Sequence, residues 1–246
     1  MTVLHRILLI AAPLLLCTLA SAPLQAQAAT KGSGHAASET RVLAEFQAIA
    51  LSGDMDLVVR QGTPQAVQVQ ADDNLLPLLE TSVENSVNGT TLQVRWKRGE
   101  SIYGRSKVLV TVVVPALSAL VASGSGDRKV ETFTTPALKV SLSGSGEARL
   151  NGLATDDLGI RISGSGNVAG SGKATKMKVS IAGSGDVKLT ELRAEDVTVS
   201  IAGSGDAAVN AQKTLQVSIA GSGDVSYVGN AAVKSSVAGS GSVRKR

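Results

Sequence analysis

From residue 119 onward, apolar and polar side chains alternate with a period of two. Val179, Ile181, Gly183, Gly185, Val187 and Leu189 fall on one face of an extended chain, and Ser180, Ala182, Ser184, Asp186 and Lys188 on the other. The same alternation holds for Leu138, Val140, Leu142, Gly144, Gly146, Ala148 and Leu150, and again for Leu215, Val217, Ile219, Gly221, Gly223, Val225 and Tyr227. Ser125, Ser145, Ser165, Ser184, Ser204, Ser222 and Ser240 centre seven Gly-Ser-Gly triplets, with successive gaps of 20, 20, 19, 20, 18 and 18 residues. A near-constant period of this length, carried by a two-residue rather than a helical pattern, predicts a solenoid whose slips are absorbed in loops on one side. Each unit reads as a strand, a glycine corner, a second strand and a return loop. One unit cannot bury its apolar face, whereas stacked units bury a continuous core and pair every backbone group. The predicted fold is all-β: a parallel β-helix of 18–20-residue coils, about 4.8 Å apart, with right-handed coiling as the default. Glycine at the corners permits positive φ and leaves room over a narrow core.

The pattern is less regular before residue 119 but still β. The stretch ALSGDMDLVVRQG reads as a degraded copy of the repeat with Gly53-Asp54 at its corner, QAVQVQA as a strand, and SVNGTTLQVRW as turn plus strand. SKVLVTVVVP reads as a buried strand ended by Pro115, and DDNLLPLLE as a short helical turn capped by Asp72 or Asp73. These segments are expected to form the first, decorated coils or a layer packed on them. The predicted organisation is thus a single domain over 41–246, with irregular coils over 41–118 and Gly-Ser-Gly repeats over 119–246. Residues 29–40, small and polar, read as a flexible linker.

Residues 1–28 read as a signal peptide: a basic head, an apolar stretch over 7–20 too short to span a bilayer, and Ala26-Gln27-Ala28 fitting the small-x-small cleavage rule. The mature chain is expected to begin near Ala29. Cys17 is the sole cysteine and follows Leu16, where a lipoprotein signal wants a small residue, so its acylation is not expected. The mature chain would then lack thiols, disulfides and cysteine nucleophiles. The two histidines are His5, within the signal, and His35, within the linker. A Ser-His-Asp triad or a histidine-held zinc is therefore not expected, and no cofactor is predicted. The formal charge of +4 falls to about +3 without Arg6, which does not point to nucleic acid. No later stretch is apolar for long enough to cross a membrane. Phe46, Trp96, Tyr103, Phe133 and Tyr227 are all the aromatics, so the core must be thin and built of Val, Ile, Leu and Gly.

Several residue sets carry candidate chemistry. The residues after the glycine corners, Asp127, Glu147, Asn167, Asp186, Asp206, Asp224 and Ser242, would stack into a column. Calcium could bind such a ladder through its oxygens. The favoured alternative is that each side chain caps its own turn by accepting backbone N–H bonds, since calcium-binding β-rolls use a nine-residue repeat. A second set gathers Arg95, Lys97, Arg98, Arg105 and Lys107 around Trp96 and Tyr103, with Glu100 alone opposing. Cations interleaved with aromatics can hold an anionic glycan or a lipid headgroup. The competing reading is a solvated hairpin loop with cross-strand aromatic pairs. A third set, Ser180-Ala182-Ser184 and its repeats, would make a flat face of small side chains suited to packing against another protein surface, a second copy included. NVAGSGKAT around Lys173 echoes a phosphate-binding loop but lacks the required glycine at Asn167, the Ser or Thr at Ala174 and the following helix, and is discarded. Arg244, Lys245 and Arg246 read as a charged guard on the last strand edge.

In these residues the chain resembles the family called putative auto-transporter adhesin, head GIN domain. The resemblance runs from about residue 46 to 243, through SGDMDLVVRQG, DDNLLPLLETSV, NGTTLQVRW, VLVTVVVPAL, the serial SGSG(D/E/N) coils and GSGDVSYVGNAAVKSSVAGSGSV. Alanine stands where a proline often follows the glycine in that last segment. The resemblance implies a β-helical, exported bacterial protein with an adhesive role, and it brings no catalytic residues. The chain shows no run of membrane-barrel strands after GSVRKR, so a periplasmic or cell-surface location is expected rather than self-export. Two functions compete. The leading one is a non-enzymatic cell-envelope β-helix presenting surface for adhesion or assembly, with envelope glycans or another protein surface as partners. The alternative is a polysaccharide-binding or polysaccharide-acting β-helix enzyme.

Overall fold

The computed structural model describes residues 29–103 and 107–246. The proposed signal peptide with Cys17, and Arg105 of the cationic patch, lie outside the described residues. The chain forms a β-solenoid of about six turns with about 20-residue spacing. The N-terminal strands are β1 (Thr30–Lys31), β2 (Ala36–Arg41), β3 (Ala48–Ser52), β4 (Met55–Gln61), β5 (Ala66–Asp72), β6 (Leu79–Ser86), β7 (Gly89–Trp96), β8 (Ile102–Tyr103) and β9 (Val108–Val114). The repeats supply β10 (Ala119–Ser123), β11 (Asp127–Glu131), β12 (Thr134–Gly144), β13 (Glu147–Gly164), β14 (Asn167–Gly183), β15 (Val187–Gly203), β16 (Ala207–Gly221), β17 (Val225–Val228), β18 (Ala232–Gly239) and β19 (Val243–Lys245).

Two lateral stacks result. One runs β6–β7–β3–β10–β12, continues through the C-terminal halves of β13–β16 and ends at β18. The other runs β2–β5–β9–β4–β11, continues through the N-terminal halves of β13–β16 and ends at β17 and β19. Among the repeats all pairing is parallel and in phase with the sequence period. Val140, Ile160, Val179, Val199 and Val217 therefore stand above one another, as do Leu142, Ile162, Ile181, Ile201 and Ile219. All ten side chains are buried, and each removes apolar surface worth about 1.5–3 kcal/mol.

The first glycine of each corner is conformationally obligatory. Gly124, Gly144, Gly164, Gly183, Gly203, Gly221 and Gly239 all take φ between +107° and +137°. The second glycine is required by proximity instead: a Cβ on Gly205 would lie 2.2 Å from the Gly185 carbonyl oxygen of the preceding coil. One corner thus uses glycine for two different physical reasons.

The N-terminal region departs from the sequence reading in three ways. Spatial order is not chain order: the β3–β4 coil lies between the β10–β11 coil and the later β7–β9 coil, so the chain backtracks before the repeats begin. Antiparallel β2 and β6 finish the two stacks on that side. Residues 29–40, expected as a flexible linker, hold β1 and most of β2. Their small polar composition lacks an apolar signature, but β2 pairs antiparallel with β5, and Gly34 N donates to Asp72 Oδ2 at 3.0 Å. Arg41 Nη2 also donates to the Leu76 carbonyl at 2.9 Å. The expected helical turn is a 3-10 turn over Leu76–Leu78 with Leu75 at its N-cap and no side-chain cap. Asp72 and Asp73 instead receive bonds from the 33–34 segment and from Asn74.

An unusual residue occupies the junction between irregular and regular coils. Arg128 is 1% exposed and stands in the inward column between Leu57 and Ala148. Its Nη1 donates to the Gly126 carbonyl, while Nε and Nη2 have no partner among the described residues. Burial depresses its pKa, against the opposing pull of Asp56, Asp127 and Asp54.

Candidate functional site

The acidic column is a hydrogen-bonded ladder between coils. Asn167 Oδ1 accepts from Asp186 N at 3.0 Å, Asp186 Oδ1 from Asp206 N at 3.3 Å, and Asp206 Oδ1 from Asp224 N at 2.8 Å. Asp224 Oδ1 ends the run, accepting from both N and Oγ of Ser242 at 2.8 Å. Asp56 makes a single bond of the same kind at the first repeat coil, accepting from Asp127 N at 2.9 Å. Asn167, Asp186, Asp206 and Asp224 thus each cap the next coil rather than their own turn, because the donor N–H lies one strand spacing away. Glu147 stands outside the ladder and pairs with Arg149 at 2.7 Å. Donation to the charged form offsets the mutual repulsion of the carboxylates. The Ser242 hydroxyl and amide, with Arg244 beside them, lower the pKa of Asp224. Among the described residues no group of three or more His, Cys, Asp or Glu side chains could hold a metal ion.

The cationic-aromatic set is spread over several local contacts. Trp96 is half-buried at the end of β7, packed on the core beside Gly53, where a Cβ would meet its Cδ1 and Nε1 at 3.3 Å. Arg95 pairs with Glu80 at 3.1 Å, and Lys107 with Asp56 at 3.5 Å. Lys97 and Arg98 are exposed in the turn after β7. Tyr103 is 56% exposed on β8, which pairs with β1.

A groove of about 930 Å³ lies elsewhere, along the solenoid flank at the corner where the two lateral stacks meet. Its floor is the column Thr135, Thr155, Ala174 and Ala194, all buried. The Thr135 hydroxyl donates to the Leu117 carbonyl at 3.0 Å, and the Thr155 hydroxyl to the Pro136 carbonyl at 3.2 Å. Outward residues on either side of this column make the walls. One wall is the register column Thr134, Ala154, Lys173 and Arg193; the other carries Pro136, Asp156, Thr175 and Glu195. Gln212 and Lys213 close the end, with Lys213 Nζ 2.7 Å from Glu195 Oε2 and Arg193 Nη2 3.4 Å from Gln212 Oε1. Register slips occur on this corner's approach, between Leu150 and Leu153, Ala169 and Ser171, Leu189 and Arg193, and Ala194 and Asp196. Coil-length variation is thus concentrated beside the groove while the core columns stay in phase.

Sequence reasoning missed this groove. Lys173 drew notice only through its false likeness to a phosphate loop; it lies on β14. The available signal was the recurrence of a cation at 173, 193 and 213, matching the repeat period. Among the described residues, no helix is long and apolar enough to cross a membrane.

Comparisons agree with this architecture. The chain is 24% identical to a "putative adhesin" from Bacteroides fragilis, with a TM-score of 0.83 over 88% of this chain and 100% of that one. It is 25% identical to a "putative adhesin" from Parabacteroides distasonis, with a TM-score of 0.70 over 89% of this chain and 100% of the other. A "putative lipid binding protein" from the same species matches with 23% identity and a TM-score of 0.72, over 89% and 100% of the two chains. No curated protein matches. The model of one family covers residues 45–231, and on that match the chain belongs to the family described as putative auto-transporter adhesin, head GIN domain.

Proposed function

We propose that the protein is an exported, non-enzymatic module of the cell envelope that works by binding, with a rigid β-solenoid presenting its flank as an adhesive surface. The observation that carries this reading is the long flank groove, bordered by the corner at which repeat length varies. In solenoids, variation of that kind collects on the face that meets partners, while the stack behind it stays constant. Export rests on the signal-like residues 1–28, and an adhesive role on the family. One fold relative is described as lipid binding. For this chain a buried acyl chain finds little support, since the groove walls carry Asp156, Lys173, Arg193, Glu195 and Lys213.

Two measurements test the proposal. Fractionation of expressing cells, with mass spectrometry of the mature N-terminus, should find the protein in the envelope fraction and begin its sequence near Ala29. Co-sedimentation with purified envelope polysaccharide, followed by an assay for new chain ends, should find binding without cleavage. Cytoplasmic retention would sink the export half, and release of shortened chains would favour the polysaccharide-acting alternative.

A further inference from the structure

The flank groove has a length, a chemistry and a pairing environment that together restrict what fits it. It crosses five coils, a run of about 19 Å at four strand spacings. This suits an extended polymer rather than a compact metabolite. Along the groove floor β13, β14 and β15 are each paired with a coil on either side, through Thr155, Ala174 and Ala194, so these strands offer no free backbone edge. An extended peptide would gain no ladder there, and β-augmentation is the usual source of affinity for such a peptide. Binding must therefore come from side chains.

The two walls differ in their polar groups. Lys173 and Arg193 occupy adjacent rungs of one wall, in register, and neither has a carboxylate partner among the described residues. Lys173 makes no ion pair or side-chain hydrogen bond among those residues, and Arg193 has only the long contact to Gln212. Asp156, on the other wall, likewise makes none, and Glu195 has one partner, Lys213. Between the walls lies a floor of methyl groups from Thr135, Thr155, Ala174 and Ala194. One wall thus presents two cations without carboxylate partners on rungs one strand spacing apart, and the other presents carboxylate and hydroxyl acceptors. Carboxylates pair with the guanidinium and ammonium groups, while sugar hydroxyls donate to Asp156 and Glu195.

From this geometry we infer that the groove binds an extended acidic polysaccharide, with its carboxylates toward Lys173 and Arg193 and its hydroxyls toward Asp156 and Glu195. The inference rests on the binding role proposed above and gives that site its ligand class.

The test uses the full mature chain and two probes: hexagalacturonate, with one carboxylate per ring, and maltohexaose, a neutral chain of the same length. Titration calorimetry is run on the parent, on Lys173→Ser/Arg193→Ser, and on Lys188→Ser/Lys234→Ser, which removes the same charge from exposed positions outside the groove. Thermal melts check that all three are folded. Hexagalacturonate should bind the parent, and the groove variant should weaken it about tenfold or more. The control variant should leave binding unchanged. Absence of hexagalacturonate binding to the parent, equal affinity for maltohexaose, or equal weakening in the control would each overturn the inference. If hexagalacturonate fails while the parent still sediments with envelope polysaccharide, the acidic-chain inference falls and the binding role survives.

Discussion

The Gly-Ser-Gly corner uses glycine for two separable reasons, and three substitutions to alanine can measure them. Gly89, at the β6–β7 hairpin, has φ +89° and nothing within 4 Å of the point where a methyl group would stand, so Gly89→Ala probes backbone conformation alone. Gly205 has φ outside the left-handed region, but its Cβ would lie 2.2 Å from the Gly185 oxygen and 2.9 Å from Ile181 Cγ2, so Gly205→Ala probes coil contact alone. Gly203 combines φ +132° with an approach of 2.3 Å to the Gly183 oxygen. Left-handed φ costs an alanine about 1–2 kcal/mol. Restoring ordinary contact at Gly205 requires the coils to part by about 1.2 Å, and overpacking of this kind costs about 1–3 kcal/mol. Gly203→Ala should therefore cost about 2–5 kcal/mol, more than either of the others, a large part of a typical domain's stability. Ser204→Ala, on the rung between Gly203 and Gly205, should stay within about 0.5 kcal/mol of the parent. Chemical denaturation followed by circular dichroism gives the differences. Hydrogen exchange should localise the damage to Ser204 and Ser222, whose amides donate to Gly183 and Gly203 across the coils. If Gly205→Ala proves as mild as Ser204→Ala, the contact argument is wrong and the second glycine of the corner is not held by packing.

Three further outcomes follow from individual contacts. Arg128→Met should stabilise the protein by about 1–4 kcal/mol, because it removes a buried charge with two unpaired nitrogens and fits the apolar column of Leu57 and Ala148; a lowered melting temperature would refute this. Asp206→Ala should cost about 1 kcal/mol by leaving the Asp224 amide without its acceptor. Asp206→Asn should be tolerated, as asparagine already serves at Asn167, and calcium should leave the parent's melting temperature unchanged; a rise abolished by Asp206→Ala would restore the metal reading. Hydrogen bonds from Lys129 and Arg60 hold Glu131 down at about 2 from 4.5. Because the folded value is the depressed one, the stabilisation is present above pH 4.5 and fades as pH falls toward 2. An NMR titration should show Arg60→Ala moving the Glu131 midpoint upward, and an unchanged midpoint would count against the Arg60 contact.

The repeat could be read from sequence because a parallel solenoid converts linear period into spatial register. Residues 18–20 apart become neighbours, so inward columns, glycine corners and the acidic ladder were all visible as recurrences. The direction of each ladder bond was not, since an Asp beside a corner reads alike whether its acceptor serves its own turn or the next coil. The backtracking of the β3–β4 and β7–β9 coils, and the capture of β2 by β5, involve pairings without a period, which only the assembled chain selects. Arg128 likewise alternates as an inward residue, yet burial of its charge depends on the Gly126 and Gly146 corner around it. The flank groove belongs to the same class: its cations recur at the repeat period, but register slips shift Arg193 against Asn210 instead of Lys213. Sequence period therefore determined the stack and its core, while the fold alone decided which outward side chains share a wall, because side-chain neighbours at a corner depend on how each coil absorbs its extra or missing residue.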